Sequence, residues 1–278
     1  MNFLEKMIAI THFEIEEPTL YGINHIFFII LAIAAVFLVC LTCKNLSNKK
    51  IDRILLISGC SLLFLEVIKQ FNFAYDPSND SWEYSWKQFP FQFCSVPMYV
   101  MVIVSLVKNE KIKSALYTFL GTFGLFAGLG VLLFPTTVLS GIVFRFSQSM
   151  IHHGVMFVIG ILLYVSKKIE LKHKSILKAI PVFMICVIIA FTMNILFHLS
   201  GNESSFNMFY IGPYSKSDIP ILFQIGQALK IESPVLHFGN FLFVFIYIIG
   251  FSLIAYLVLL IAISINKLII NRKTQSIN

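Results

Sequence analysis

The sequence predicts an all-α polytopic membrane bundle of about seven transmembrane helices, with its N-terminus outside and its C-terminus inside. Three observations predict it. Apolar residues make up 58% of the chain at a mean hydropathy of +0.84, and only 13% of residues are charged, whereas a soluble domain is about 25% charged. Apolar runs of the length needed to cross a bilayer core, about 20 residues, recur along the whole chain. The Lys and Arg residues gather in alternate connections between those runs. No charged segment with a small-residue cleavage site precedes the first run, so no removable signal peptide is expected.

The expected spans are 21–43, 53–73, 90–107, 112–134, 149–166, 175–199 and 237–265, in one integral membrane domain covering 1–278. Connections 44–53, 108–113 and 167–178, with the tail from Lys267, hold most of the 21 Lys and Arg. The other segments hold Lys6, Lys87, Arg145, Lys216 and Lys230, and Lys69 lies inside a span. By the positive-inside rule the basic set is cytoplasmic, which places the protein in the cell membrane. The net charge of +7 then answers an anionic inner leaflet. It does not indicate nucleic acid, since no basic segment is interleaved with exposed aromatics as a nucleic-acid groove requires.

Taken in order, residues 1–20 form a short acidic cap. The first span carries His25 near its outer end and Cys40 with Cys43 near its inner end; the CxxC spacing has no further ligands nearby to make a metal site. The second span puts Glu66, Lys69 and Gln70 on one helix face by their spacing of three and four. Intramembrane ionisable groups face a bundle interior or a wet cavity, so this trio is either an interior ion pair that fixes packing or a wall of a site. Residues 74–89, with Trp82 and Trp86, suit an interfacial outer loop. The third span opens on Pro90-Phe91-Gln92-Phe93-Cys94-Ser95-Val96-Pro97. In the fourth, Gly124 and Gly128 form a small-xxx-small packing face. The fifth begins with His152 and His153 in its first turn, and the sixth carries Pro181, Asn194 and His198. The connection 200–236 contains a candidate lid at 206–214 and a short interfacial helix near 219–229, before His237 and Asn240 open the seventh span.

A thiol, an amide and a hydroxyl within four residues of an apolar run are costly in lipid unless partnered. Six of the seven histidines (12, 25, 152, 153, 198 and 237) fall at the same level as Glu66, Lys69, Gln92 and Cys94. That concentration predicts a polar site toward the outer leaflet. A buried thiol needs a base to become a nucleophile, and histidine is the residue whose unperturbed pKa suits that task. Cys94 with His153, or with the adjacent His152, is therefore a candidate acyl-transfer pair, needing no cofactor and no metal. In that scheme Gln92 is a candidate oxyanion donor, and Glu66 or His198 is a candidate for orienting the imidazole.

The run Phe-Pro-Phe-Gln-Phe-Cys-Ser-Val at 89–96 resembles the Pro–polar–Cys-Ser motif of the YwaF family of bacterial integral membrane proteins. His152-His153-Gly154, and Asn207-Met208 followed by Gly212-Pro213, match that family's order, and Glu66 is a looser match. The family is similar to the transmembrane protein 164 acyltransferases, which remodel ether phospholipids. The resemblance implies Cys94 as nucleophile, His153 as base and a thioester acyl-enzyme. It also implies membrane phospholipids as partners, an acyl donor and a lyso-lipid acceptor. After Gly-Pro the family has aromatic residues, often Trp-Pro-Trp; here Pro213 is followed by Tyr214-Ser215.

Two other classes compete. A metal-dependent lipid hydrolase would gather His152, His198 and His237, although no fixed ligand spacing such as HExxH is present. A non-enzymatic transporter fits the span count, but there is no inverted repeat, and the polar residues lie to one side of the midplane.

Overall fold

Glycines and prolines in the apolar runs decide how the bundle departs from simple through-helices. The computed structural model describes residues 3–201, 206–215, 217, 219–233 and 235–275. The helices are α1 Phe3–Ile10, α2 Ile23–Thr42, α3 Asn48–Ala74, α4 Val96–Leu106, α5 Glu110–Phe119, α6 Leu125–Leu133, α7 Val143–Val165, α8 Ile176–Leu199, α9 Pro220–Ala228 and α10 Phe238–Gln275. A two-stranded hairpin, β1 Tyr75–Asp76 with β2 Ser81–Trp82, caps the end of α3. Among the described residues, five helical stretches are long and apolar enough to cross a membrane. These are Ile23–Thr42, Glu110–Leu133, Val143–Val165, His173–Leu199 and Phe238–Arg272. The chain is a multi-pass, all-α membrane protein.

Two of the seven expected spans need restating. α3, at 27 residues, reaches about 40 Å, but it carries Asp52, Arg53, Glu66 and Lys69 and is not among the five apolar spans. The expected span 90–107 is not a through-helix. Its helix, α4, has 11 residues and rises about 16 Å, half of a hydrocarbon core about 30 Å thick. The prolines explain why. Pro90 cannot donate a backbone hydrogen bond, and Pro97 fits the first turn of a helix, so helix starts beside it. Residues 89–95 form turns instead, with Phe91 N donating to Phe89 O at 2.8 Å and Ser95 N to Gln92 O at 2.8 Å. Tyr99 donates its hydroxyl to Pro90 O at 2.8 Å, satisfying a carbonyl the helix lacks. Irregular backbone at membrane depth persists only where protein buries it or where it lines a cavity.

The fifth span starts earlier than expected, so His152 and His153 sit in the third turn of α7. Protein partners replace water along the added turns. Val143 N donates to Phe13 O and Ile15 N to Gly141 O, and Arg145 is held by Asn72. The fourth span is continuous but has a π-helical turn, Leu120–Gly124, between α5 and α6. Pro97 of α4 packs beside that turn, 3.6 Å from where a Cβ on Gly124 would lie. α8 runs unbroken through Pro181, and α9 is a short helix where one was expected near 219–229.

The basic connections meet at one end of the bundle. There Lys113 Nζ pairs with Asp52 Oδ2 at 2.6 Å, Lys168 bonds Asn48 and Lys178 Nζ reaches Ser114 Oγ at 3.2 Å. The hairpin and residues 87–95 lie at the ends of α3 and α4 away from these contacts. Lys216, from the sparse set, lies outside the described residues. The core between the ends is aromatic: Phe93 meets Phe183, Phe209 and Phe251 at centroid distances of 5.5, 5.8 and 5.2 Å. Such pairs are worth about 0.5–1.5 kcal/mol each beyond their burial. They fix the residue just before Cys94.

Candidate active site

The irregular segment 89–95 is held by three elements. From α7, His152 Nε2 lies 3.0 Å from the backbone carbonyl of Cys94; a carbonyl only accepts, so Nε2 carries the donated proton. From below, Phe93 is fixed by the aromatic core. From the long connection, the turn at 206–212 docks on Gln92, whose Nε2 donates to Asn207 O at 2.9 Å while its Oε1 accepts from Phe209 N at 2.9 Å.

That turn is core, not a surface lid. Phe206, Met208, Phe209 and Ile211 are buried, and Phe209 and Tyr210 hold φ values of 60° and 56°. A non-glycine residue pays for such left-handed backbone, so the surrounding contacts must impose it. Asn194 of α8 supplies two of them: its Nδ2 donates to Met208 O at 2.9 Å and its Oδ1 accepts from Met208 N at 2.7 Å. Asn207 Oδ1 accepts from Gly212 N at 2.7 Å and closes the turn. Asn194→Ala leaves the buried Met208 N–H unpaired, costing about 1–3 kcal/mol, and leaves Met208 O with only its longer bond from Ile211 N at 3.4 Å. The expected result is a lower thermal midpoint, with cleavage in 206–215 by a protease that spares the wild type. An unchanged proteolysis pattern would show that the aromatic contacts alone hold the turn.

The adjacent histidines face different partners, as neighbours about 100° apart on a helix must. His153 Nδ1 donates to Ser149 O at 2.6 Å. With Nδ1 carrying the proton, the basic lone pair of the neutral ring is on Nε2, and that buried atom has no hydrogen-bond partner. The group orienting His153 is thus a main-chain carbonyl, not Glu66 or His198. Glu66 is held by Lys69 Nζ at 2.7 Å, Gln70 Nε2 at 2.7 Å and Gln148 Nε2 at 3.3 Å. His198 stacks on Tyr214 at 3.8 Å between centroids.

Cys94 and His153 line one cavity of about 760 Å³. Its lining is chemically mixed: Phe93, Phe126, Val131, Leu139, Tyr247 and Phe251 contribute aromatic and aliphatic surface, and Lys69, Lys87, Arg145 and Glu66 are charged. Gln92, Ser95, Ser149 and Asn207 also line it. The structure therefore brings together Cys94, His153, Gln92, Glu66, Lys69 and Asn207, with His152 behind the Cys94 main chain and His198 elsewhere. Sequence reasoning did not place Gln148, Ser149 or Arg145 in this group. For Ser149 the signal was its spacing of four from His153 on one helix face; Gln148 lay outside the expected span 149–166, and nothing local shows that it meets Glu66.

The remaining histidines at this level have structural partners. His25, fully buried, accepts from Tyr21 N at Nδ1 (2.9 Å) and bonds Leu132 O through Nε2 at 2.8 Å. His237 bonds Lys230 O at 2.8 Å and accepts from Gly239 N at 3.0 Å. His152, His198 and His237 do not converge, and no group of three or more metal-ligating side chains forms among the described residues. No curated protein and no solved structure matches the chain. The model of the TMEM164 family, in contrast, matches residues 20–263, from just ahead of α2 to well within α10, and over that span the chain belongs to the TMEM164 family.

Proposed function

We propose that this protein is a membrane acyltransferase acting on phospholipids through Cys94 and His153. The observation that carries the reading is the shared cavity: a thiol and an imidazole with an unpartnered Nε2 line one space whose walls hold both aromatic and aliphatic side chains and the basic Lys69, Lys87 and Arg145. An acyl ester laid across that space puts its chain against Phe126, Val131 and Phe251 and its headgroup toward Lys69, Lys87 and Arg145. His153 Nε2 takes the Cys94 thiol proton as sulfur attacks the ester carbonyl. The tetrahedral intermediate collapses by breaking the C–O bond, and His153 returns the proton to the departing lipid alkoxide. The acyl group is then held as a thioester. A lyso-phospholipid hydroxyl, deprotonated by His153, attacks that thioester and regenerates the thiol.

Family membership supports the lipid reading, and the charge asymmetry supports a site toward the outer leaflet of the cell membrane. Gln92 is tied to the 206–212 turn by both ends of its amide, so its part is to position the Cys94 segment, with one N–H left over for an oxyanion. The test is intact-protein mass spectrometry after incubation with diacyl phospholipid. Wild type is expected to gain a fatty-acyl mass that hydroxylamine removes, and Cys94→Ala to gain none. Wild-type lipid turnover in Cys94→Ala would end the proposal.

A further inference from the structure

The short first helix, α1, turns its apolar residues two ways. Phe3, Met7 and Ile10 follow one another at spacings of four and three, so they share a face, and they are 78, 52 and 77% exposed. Ile8 points about 130° round the helix from that face; it is 5% exposed and packs on the protein. Phe13, just beyond the helix, is exposed as well. Large apolar side chains gathered on one open face mark a surface that something else covers.

The place of α1 in the bundle decides what that is. The helix packs on the far end of α3 and on β1 of the hairpin. Asn72 Nδ2 donates to Thr11 Oγ1 at 2.7 Å and to Thr11 O at 3.2 Å, and His12 meets the Tyr75 ring edge-on at 6.2 Å. α3 starts among the basic connections, where Asp52 holds Lys113. It rises about 40 Å, past a hydrocarbon core about 30 Å thick, so its far end stands at headgroup level. The neighbouring hairpin segment exposes Trp82, Tyr84 and Trp86, residue types that belong at membrane–water interfaces.

We infer that α1 is a membrane-surface helix, lying in the interface with Phe3, Met7 and Ile10 sunk among the upper acyl chains of the surrounding leaflet. The inference does not rest on the acyltransferase reading. Charge selects the kind of surface. Residues 3–17 carry Glu5, Glu14, Glu16 and Glu17 against Lys6, so apolar area makes the contact and attraction to anionic lipid does not. A zwitterionic leaflet is the surface that fits. The contact also reaches the cavity, because Asn72, which grips Thr11, is the residue that holds the cavity-lining Arg145. Backbone bonds from Val143 N to Phe13 O and from Ile15 N to Gly141 O tie the same segment to the start of α7.

Tryptophan fluorescence in phosphatidylcholine nanodiscs tests this. Trp82→Phe with Trp86→Phe removes both native indoles, and Met7→Trp then places a single one on the apolar face. Lipid brominated near the ester end of its chains is expected to quench that indole several-fold more than lipid brominated near the chain terminus, and iodide in the buffer to quench it little. Mixing phosphatidylglycerol into the nanodisc should leave the pattern unchanged. Ready quenching by iodide and by neither lipid would put the face in water and overturn the inference. Quenching by none of the three would show that protein, a partner or a second copy of this chain, covers the face, and would overturn it equally. So would quenching that appears only with phosphatidylglycerol, or that is strongest from the chain terminus. The thermal midpoint reports whether the fold is kept, and Ile10→Trp repeats the measurement if Met7→Trp lowers it.

Discussion

His153→Ala should slow formation of the acyl adduct by about 10²–10⁴-fold, the range general-base catalysis contributes, while His152→Ala should slow it far less. The two side chains differ in what they hold. His153 spends Nδ1 on Ser149 O and keeps Nε2 free of partners, so it has a lone pair to offer the thiol. His152 spends Nε2 on the carbonyl of Cys94, so removing it loosens the nucleophile's backbone without removing the base. His152→Asn, which keeps a donor, should recover part of whatever His152→Ala loses; His153→Gln should recover nothing, because an amide has no basic nitrogen to take the thiol proton. The measurement is the adduct growth rate at saturating phospholipid, by rapid quench and intact mass. A His153→Ala rate equal to wild type, with His152→Ala crippled, would exchange the two roles.

The sequence showed the apolar spans and the level of the site more clearly than the joints between them. Apolar runs are read by counting, and Cys94, His153, Glu66 and Lys69 stood out because lipid makes each of them expensive. The start of span three was misread because Pro90 and Pro97 interrupt a run that remains apolar throughout. Hydropathy does not distinguish helix from buried turn, and the turn is tolerated because Gln92, His152 and Phe93 carry its partners from remote segments. Polar residues 145–149 looked like loop, since nothing local reveals that Arg145 meets Asn72, 73 residues away, or that Gln148 meets Glu66. The histidines misled in the other direction. His25 and His237 bond Leu132 and Lys230 and His198 stacks on Tyr214, although the sequence puts all three at the level of the site. The aromatic segment 206–212 looked like a lid for the same reason: its docking on Asn194 and Gln92 depends on residues distant along the chain.

Gly128→Ala should damage both the fold and the chemistry, although alanine is the better helix former by about 1 kcal/mol. A Cβ on Gly128 would lie 2.7 Å from His153 O and 2.8 Å from Phe157 N, with Met156 Cβ at 2.9 Å. Two of these three are backbone atoms of α7 and cannot rotate away, so the helices must part. Overpacking of this kind costs about 1–3 kcal/mol, which outweighs the propensity gain. The displaced segment is the one that carries His153, and a misplacement of about 1 Å at a catalytic group can cost about 10²-fold in rate. Gly130, two residues on, lines the same cavity but has nothing within 4 Å of an added Cβ, so Gly130→Ala isolates the propensity effect. The expected pair of results is a lower thermal midpoint with a slower acyl adduct for Gly128→Ala, and an unchanged or higher midpoint for Gly130→Ala. If both alanines instead raise stability and leave the adduct rate alone, α6 and α7 do not meet backbone to backbone at His153, and the close approach is not what positions the base.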